Sequence, residues 1–289
     1  MQFAFHIIIA AIIFTILASG FKFFIKLKWN LDSSYMAIVI FSSYIWALLN
    51  IHFWIWILLC ILISFIVSIA FTFLVLFLSS KLNDVYFSIW TLSLYILVYQ
   101  LAYNLEPITW WALWLSGIDR NLIWWIQLSS LPSFLIFAGI LIILLIGCLV
   151  YFKKTYFYKT LIWRWERDIL VKSLGIKINK YKLVMILITT LLASLAGNLY
   201  TFYYLYIDPS SFRFWMLILT LVIVFVSYKR NDRWTLIVSI LIMFAYEYLR
   251  FFKIVDPSKI GYFREMIFWL IIVVTSFLVF RKTNFGREN

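Results

Sequence analysis

The sequence predicts an all-α polytopic transmembrane helical bundle of about eight or nine spans. Hydrophobic residues make up 65% of the 289 residues and charged residues only 13%, and the mean hydropathy is +1.00. A soluble domain carries about 25% charged residues, so this chain has too few to cover a water-facing surface. Its apolar residues also form runs close to the ~20 residues that a helix needs to cross a bilayer. Lipid satisfies no backbone hydrogen bonds, so we expect these runs to be helical.

Nine apolar runs separated by charged breaks are the candidate spans of a single transmembrane domain over residues 1–289. They are Gln2–Gly20, Tyr35–Asn50, Phe53–Leu78, Val85–Tyr103, Leu131–Phe152, Leu183–Tyr206, Phe214–Tyr228, Trp234–Leu249 and Met266–Phe280. The second, seventh and eighth runs are short, which is typical of half-helices or of strongly paired segments. The first run lacks a preceding basic region and a small-residue cleavage site, so we interpret it as a span. Asn104–Ser130 carries five tryptophans and is predicted to lie at the membrane interface.

The most polar stretch of the chain runs from Lys153 to Lys182. It holds nine lysines and arginines against two acids, Glu166 and Asp168. Basic residues gather in cytoplasmic loops of membrane proteins, so we place residues 153–182 in the cytoplasm. With nine spans, this choice leaves only six cations on the opposite side. It predicts an N-terminus outside and a C-terminus in the cytoplasm. The same bias explains the net charge of +13, so nucleic acid is not an expected partner.

Within this basic stretch, Leu161–Leu174 has the pattern of a short amphipathic helix. Apolar side chains such as Trp165 share one side, while Arg164 and Asp168 lie on another. Gly175 follows as a natural C-terminal cap. Such a helix either lies on the inner membrane surface or docks its polar side onto a cytoplasmic protein. Periodicity alone leaves both alternatives open.

Residues that would carry catalysis are scarce. An enzyme needs a nucleophile, a base or a metal cluster, yet the two histidines, His6 and His52, are far apart in sequence. Cys60 and Cys148 lie singly inside apolar runs, which is typical of neither a disulfide framework nor a metal site. We therefore expect no metal and no cofactor.

A series of short motifs follows in a fixed order along the chain. It comprises Asp84-Val-Tyr-Phe-Ser-Ile-Trp-Thr-Leu92, Ser173-Leu-Gly-Ile176, Tyr181-Lys-Leu183, Ala193-Ser-Leu-Ala-Gly-Asn-Leu-Tyr200, Ile207-Asp-Pro-Ser-Ser-Phe-Arg-Phe214 and Glu247-Tyr-Leu-Arg250. In order and spacing the series resembles LivM-type permeases, the membrane subunits of branched-chain amino acid ABC transporters. The chain departs from that family at Asn30–Tyr35, where the family has Gly-x-Ser-Leu-Gly-His.

The resemblance implies a cell-membrane permease subunit that moves branched-chain amino acids or a related small polar solute by ATP-coupled alternating access. It also implies three kinds of partner: a second, LivH-like permease subunit, two cytoplasmic ATPase subunits and an extracytoplasmic solute-binding protein. ATP hydrolysis is then expected in the partners and not in this chain. In such permeases a coupling helix before Ser-Leu-Gly docks onto the ATPase. The matching residues are Glu166, Arg167, Asp168, Ser173, Leu174 and Gly175.

Two further groups of residues are candidates for function. Ala193 and Gly197 are small residues four apart, a spacing that lets helices approach closely in lipid. Polar side chains in the middle spans are candidates for the translocation path, with ordinary interhelical hydrogen bonding as the alternative. They are Ser42, Ser43, Tyr86, Ser88, Thr91 and Gln100. The rival functions are a membrane-embedded enzyme acting on a lipid-linked substrate and a permease-derived scaffold that does not transport.

Overall fold

The computed structural model describes residues 2–26, 32–53, 56–79, 82, 84–104, 115–116, 118, 121–123, 126–127, 130–160, 178–228, 232–249 and 260–284. Within these ranges, nine helices coincide with the nine predicted runs. They are α1 (Gln2–Lys26), α2 (Ser34–Phe53), α3 (Ile57–Ser79), α4 (Asp84–Asn104), α5 (Leu131–Lys154), α6 (Ile178–Tyr204), α7 (Phe214–Ser227), α8 (Asp232–Tyr248) and α9 (Ile260–Asn284). The prediction of an all-α polytopic fold is confirmed.

Seven of the described helices are long and apolar enough to cross a membrane. They are α1 to α6, together with α7 when the turn at Pro209–Phe212 is counted with it. The expectation of a short second span is wrong, because α2 extends over 20 residues. Its start is stabilised by Asp32, whose Oδ1 accepts a hydrogen bond from the backbone N–H of Ser34 at 3.0 Å. The seventh and eighth helices are short, with 14 and 17 residues.

Four short strands lie between the helices. Strand β1 (Leu115–Ser116) pairs antiparallel with β4 (Tyr206–Ile207), with Leu115 opposite Ile207. Strands β2 (Asn121–Ile123) and β3 (Ile126–Gln127) pair antiparallel with each other. All four lie outside the seven membrane-crossing helices, where backbone groups can find water or one another. The five tryptophans of the segment between α4 and α5, which are predicted to lie at the membrane interface, are outside the described residues.

The helices form an inner and an outer set. Helix α1 packs against α5, α6, α7 and α8, and α2 packs against α3, α4 and α6. In α1, 72% of the most apolar stretch is buried, whereas in α4 the share is 17%. Helices α1, α2, α6 and α7 therefore form the core, and α3, α4 and α5 surround it. Gly20 permits one close approach in this core, since a Cβ there would lie 2.6 Å from the Tyr35 ring carbons.

The bundle has two ends, which we name after residues of α1. At the His6 end, the Nδ1 atom of His6 lies 2.7 Å from the Tyr203 hydroxyl near the end of α6. At the Lys22 end, the ammonium of Lys22 donates a hydrogen bond of 2.9 Å to Thr235 Oγ1 near the start of α8. Lys22 is 2% exposed. Helix α1 is therefore antiparallel to both α6 and α8.

Candidate functional site

A line of paired polar side chains joins α3 to α6 inside the bundle. Asn198 Nδ2 donates to Ser64 Oγ at 2.6 Å. One helical turn further, Ser68 Oγ donates to Ser194 Oγ at 3.4 Å. After another turn, the hydroxyls of Thr72 and Thr190 lie 3.0 Å apart. We call these three pairs the polar seam; they run from the Asn198 level towards the Lys22 end.

The spacing of the seam residues explains why the seam forms. Both helices carry their polar residues four apart, which places the three side chains on one face of each helix. Helical hydroxyls can also donate to a carbonyl one turn back, as Thr190 does to Ile186 O at 2.8 Å. The seam is buried throughout. Polar pairs of this kind hold membrane helices together, each contributing about 0.6–2 kcal/mol.

Helix α2 packs against the polar seam at Gly197 of α6. A Cβ at Gly197 would lie 2.5 Å from Ser42 Oγ, 2.6 Å from the Val39 carbonyl oxygen and 2.7 Å from Ser43 Oγ. Both serines are fully buried, and Ser43 donates to Val39 O at 2.7 Å. Ala193, four residues before Gly197, is fully buried as well. Only a glycine allows the backbones of α2 and α6 to come this close.

At its Thr72–Thr190 pair the seam opens into a small cavity among α2, α3, α4 and α6. The cavity measures about 10 Å³, room for about one water molecule. Its polar lining consists of Asp32, Ser34, Tyr35, Thr72, Thr189 and Thr190. Its apolar lining consists of Ile38, Val75, Leu76, Phe87 and Ile186. We call it the Asp32 cavity, because the buried carboxylate at the start of α2 supplies its one formal negative charge.

One acceptor in the seam has no hydrogen-bond partner among the described residues, the Oδ1 atom of Asn198. The residue is 1% exposed. A buried polar atom left without a partner costs about 1–3 kcal/mol, and a buried water molecule can supply the missing donor. Among the described residues, no group of three His, Cys, Asp or Glu could hold a metal ion.

A family model described as the permease component of a branched-chain amino acid transport system matches residues 3–275. The chain belongs to this permease family. The resemblance found in its motifs is confirmed, and the chain is a multi-pass membrane component of a transporter. No curated protein and no solved structure matches the chain.

The residues that the sequence assigned to ATPase coupling fall outside the described part of this permease. They are Glu166, Arg167, Asp168, Ser173, Leu174 and Gly175. The described chain stops at residue 160, after the end of α5, and resumes at Ile178 with α6. In the sequence, the residues predicted to couple to the ATPase precede α6, the helix that carries half of the polar seam.

The six candidates for the translocation path of the permease do not form one group. Ser42 and Ser43 are buried where α2 meets α6. Thr91 is buried on α4, where its Oγ1 accepts from the Ser33 backbone N–H at 3.3 Å and donates to Ser88 O. Tyr86 and Gln100 are exposed on the opposite face of α4. The structure thus divides the candidates between the core and the outer surface.

Several residues of the site escaped prediction. Asp32, Thr72, Thr190 and Asn198 line the cavity or the seam, yet only Asn198 fell in a recognised motif. Serines and threonines spaced four apart in two apolar runs were the available signal. Near the His6 end, Glu247 Oε1 lies 4.0 Å from His6 Nε2.

Proposed function

We propose that this chain is a membrane-spanning permease subunit of an ABC importer. It carries a branched-chain amino acid or a related small polar solute across the cell membrane by ATP-coupled alternating access. One observation carries the proposal: a buried polar seam ends in a small cavity that is lined by both polar and apolar side chains. Family membership supports the class of solute.

The lining of the Asp32 cavity matches the chemistry of a branched-chain amino acid. The Asp32 carboxylate can pair with the solute ammonium group, since opposite charges attract strongly away from water. The hydroxyl oxygens of Thr72, Thr189 and Thr190, whose hydrogens bond carbonyls of their own helices, can accept hydrogen bonds from the same ammonium group. Ile38 and Val75 offer apolar surface to a branched side chain. The present volume of about 10 Å³ admits no amino acid, so the proposal requires the cavity to widen during the transport cycle.

Helix α6 is the element that can open the cavity. Ile186, which lines the cavity, lies eight residues from the start of α6, or about 12 Å along the helix. A displacement of the coupling residues before Ile178 therefore reaches the cavity through two turns of rigid helix. Moving α6 away from α3 would break the seam pairs and widen the cavity. The pairs of the polar seam therefore have two roles in this proposal. They hold α3 and α6 together while the cavity is small, and they provide polar groups along the path of the solute.

The proposed assembly contains a second permease subunit, two cytoplasmic ATPase subunits and an extracytoplasmic solute-binding protein. In this assembly the Lys22 end faces the cytoplasm and the His6 end faces outward. The described cations support this orientation: Lys153 and Lys154 end α5, and the ammonium of Lys153 lies 5.2 Å from the ring of Phe23, the residue after Lys22. Glu166, Arg167 and Asp168 would meet the ATPase through complementary charges.

Removal of one hydroxyl from the cavity tests the proposal. Thr190→Val keeps the shape of the side chain but loses the group that faces Thr72 and the cavity. A net loss of one hydrogen bond lowers solute uptake about two- to tenfold. The measurement is ATP-dependent uptake of radiolabelled leucine, isoleucine and valine by vesicles that contain the assembled transporter.

Thr275→Val on α9 is the matched control, because the Thr275 hydroxyl bonds carbonyl groups of its own helix, at 2.7 Å to Ile271 O. Its uptake should equal that of the wild type. If Thr190→Val also transports at the wild-type rate, the cavity is not part of the path. If the wild-type assembly takes up none of the three amino acids on ATP addition, the branched-chain amino acids are not its solutes.

A further inference from the structure

The threonines that line the Asp32 cavity have already used their hydrogens elsewhere. A hydroxyl group has one hydrogen to donate. Thr72 donates it to a carbonyl of its own helix at 2.8 Å. Thr189 and Thr190 do the same on α6, at 2.9 and 2.8 Å. The oxygen of each hydroxyl therefore keeps lone pairs for another group, and the three side chains act in the cavity as acceptors.

The start of α2 adds the Asp32 carboxylate to this lining, and its donors are directed to other groups. The backbone N–H and the hydroxyl of Ser34 both donate to Asp32 Oδ1, the N–H at 3.0 Å. The backbone N–H of Tyr35 donates to the carbonyl oxygen of Asp32 at 3.4 Å. The Tyr35 hydroxyl lies against Gly20 of α1, which is not one of the helices that line the cavity. The lining that the structure describes is therefore dominated by acceptors.

The hydroxyl oxygens of Thr72 and Thr190 are close enough to share a partner. They lie 3.0 Å apart. If either hydroxyl donated to the other, it would give up the bond to its own helix, because it has only one hydrogen. A positive charge in contact with both oxygens lets both carbonyl bonds persist. The pair therefore indicates a cation at this wall of the cavity.

A water molecule satisfies this lining less completely than a cation. Water can donate two hydrogens. The lining presents more acceptors than that, namely the carboxylate and three threonine oxygens. A cation can contact all of them at once. The cavity of about 10 Å³ holds one body of the size of a water molecule, so the ion enters without its hydration shell.

Size and charge together select a small monovalent ion. Mg²⁺ keeps several of its waters and Ca²⁺ takes about six to eight oxygen ligands, which is more than this cavity can hold. One carboxylate balances the charge of a monovalent ion, whereas a divalent ion would leave a costly net charge in a buried site. Oxygens only 3.0 Å apart suit a small ion better than a large one, which favours sodium over potassium.

We propose that the Asp32 cavity is a binding site for one sodium ion. The Asp32 carboxylate supplies the negative charge, and the oxygens of Thr72, Thr189 and Thr190 supply neutral ligands. The site itself does not depend on the proposed function, but one consequence does. The sodium ion and the solute ammonium would use the same carboxylate, so sodium must leave as the solute binds.

Sodium binding to the detergent-purified full chain tests the proposal. Tm is measured in sodium, potassium and choline chloride at equal ionic strength. Once sodium exceeds its Kd, each tenfold rise in its concentration should raise Tm by about 3–6 °C, by the relation for soluble domains. Choline is too large for the cavity and should give no such rise. In equilibrium binding, radioactive sodium should saturate at about one ion per chain.

Two variants remove parts of the site. Asp32→Asn keeps the shape of the side chain and a residue that is equally good at a helix N-terminus, so the variant should fold. It should lose the sodium-dependent rise in Tm and bind sodium at least about tenfold more weakly, because the charge is gone. Thr72→Val removes one neutral ligand and should weaken binding about three- to tenfold. A cooperative melt in choline chloride shows that each variant is folded.

Asp208→Asn is the matched control for the carboxylate. Asp208 Oδ1 accepts from the backbone N–H of Ser210 at 2.9 Å, the same local contact that Asp32 makes with Ser34. Asp208 does not line the cavity. This variant should keep the full rise of Tm with sodium and the wild-type affinity for the ion.

Several results would overturn the sodium site. They are equal wild-type Tm values in sodium and choline chloride, the absence of bound sodium, an equal rise of Tm with potassium, an unchanged sodium effect in Asp32→Asn and Thr72→Val, and loss of the effect in Asp208→Asn. None of these measurements needs ATP or solute. Solute uptake without sodium binding therefore rejects only the sodium site. Sodium binding without uptake counts only against the proposed transport of branched-chain amino acids.

Discussion

Replacing Gly197 by alanine should force α2 and α6 apart. The new Cβ would lie 2.6 Å from the carbonyl oxygen of Val39, whereas ordinary contacts begin at 3.4 Å, so the backbones must separate by about 0.8 Å. The two serine hydroxyls at 2.5 and 2.7 Å can rotate away, but a helical carbonyl cannot. Overpacking of a close contact costs about 1–3 kcal/mol of folding free energy.

Thermal unfolding of the detergent-purified chain measures this cost. By the relation for soluble domains, 1–3 kcal/mol lowers Tm by about 2–12 °C. Gly139→Ala on α5 is the matched control, because no atom lies within 4 Å of a Cβ built there. The control should lose no stability, since alanine is a better helix former than glycine by about 1 kcal/mol.

Two results would refute the reasoning about Gly197. If Gly197→Ala melts at the same temperature as Gly139→Ala, α2 and α6 do not make this close approach. If Ser42→Ala combined with Gly197→Ala restores the full Tm, the obstacle is a side-chain hydroxyl and not the Val39 carbonyl.

Two further predictions concern the Lys22 end and the coupling residues. Thr235→Val removes an acceptor of the buried Lys22 ammonium and should lower the free energy of unfolding by about 1–3 kcal/mol. The control, Thr275→Val, should leave Tm unchanged. Equal Tm values for the two variants would show that the Lys22–Thr235 hydrogen bond does not stabilise the fold. Charge reversal of Glu166 and Asp168 to lysine should abolish solute-stimulated ATP hydrolysis by the assembled transporter and leave basal hydrolysis intact; unchanged stimulation would reject their role in coupling.

The number and position of the helices could be predicted from the sequence, because lipid imposes a local rule. A run of about 20 apolar residues must form a helix to satisfy its backbone, whatever surrounds it. This rule located all nine described helices. It was less accurate at helix ends: α1 continues to Lys26, six residues past the predicted run, and α9 begins at Ile260, six residues before the predicted run. The family could also be predicted from the sequence, since each of its motifs is a short unbroken stretch of residues.

Which side of each helix faces a neighbour was decided by the tertiary structure. In a water-soluble helix, polar residues mark the outer face, but in lipid both faces are apolar and this signal disappears. Ser42 and Tyr86 were therefore equal candidates in the sequence, yet one is fully buried and the other is 64% exposed. Asp32 and Thr190 meet in one cavity although 158 positions separate them along the chain. The sequence determined where the helices are, and packing among them determined which polar side chains share a site.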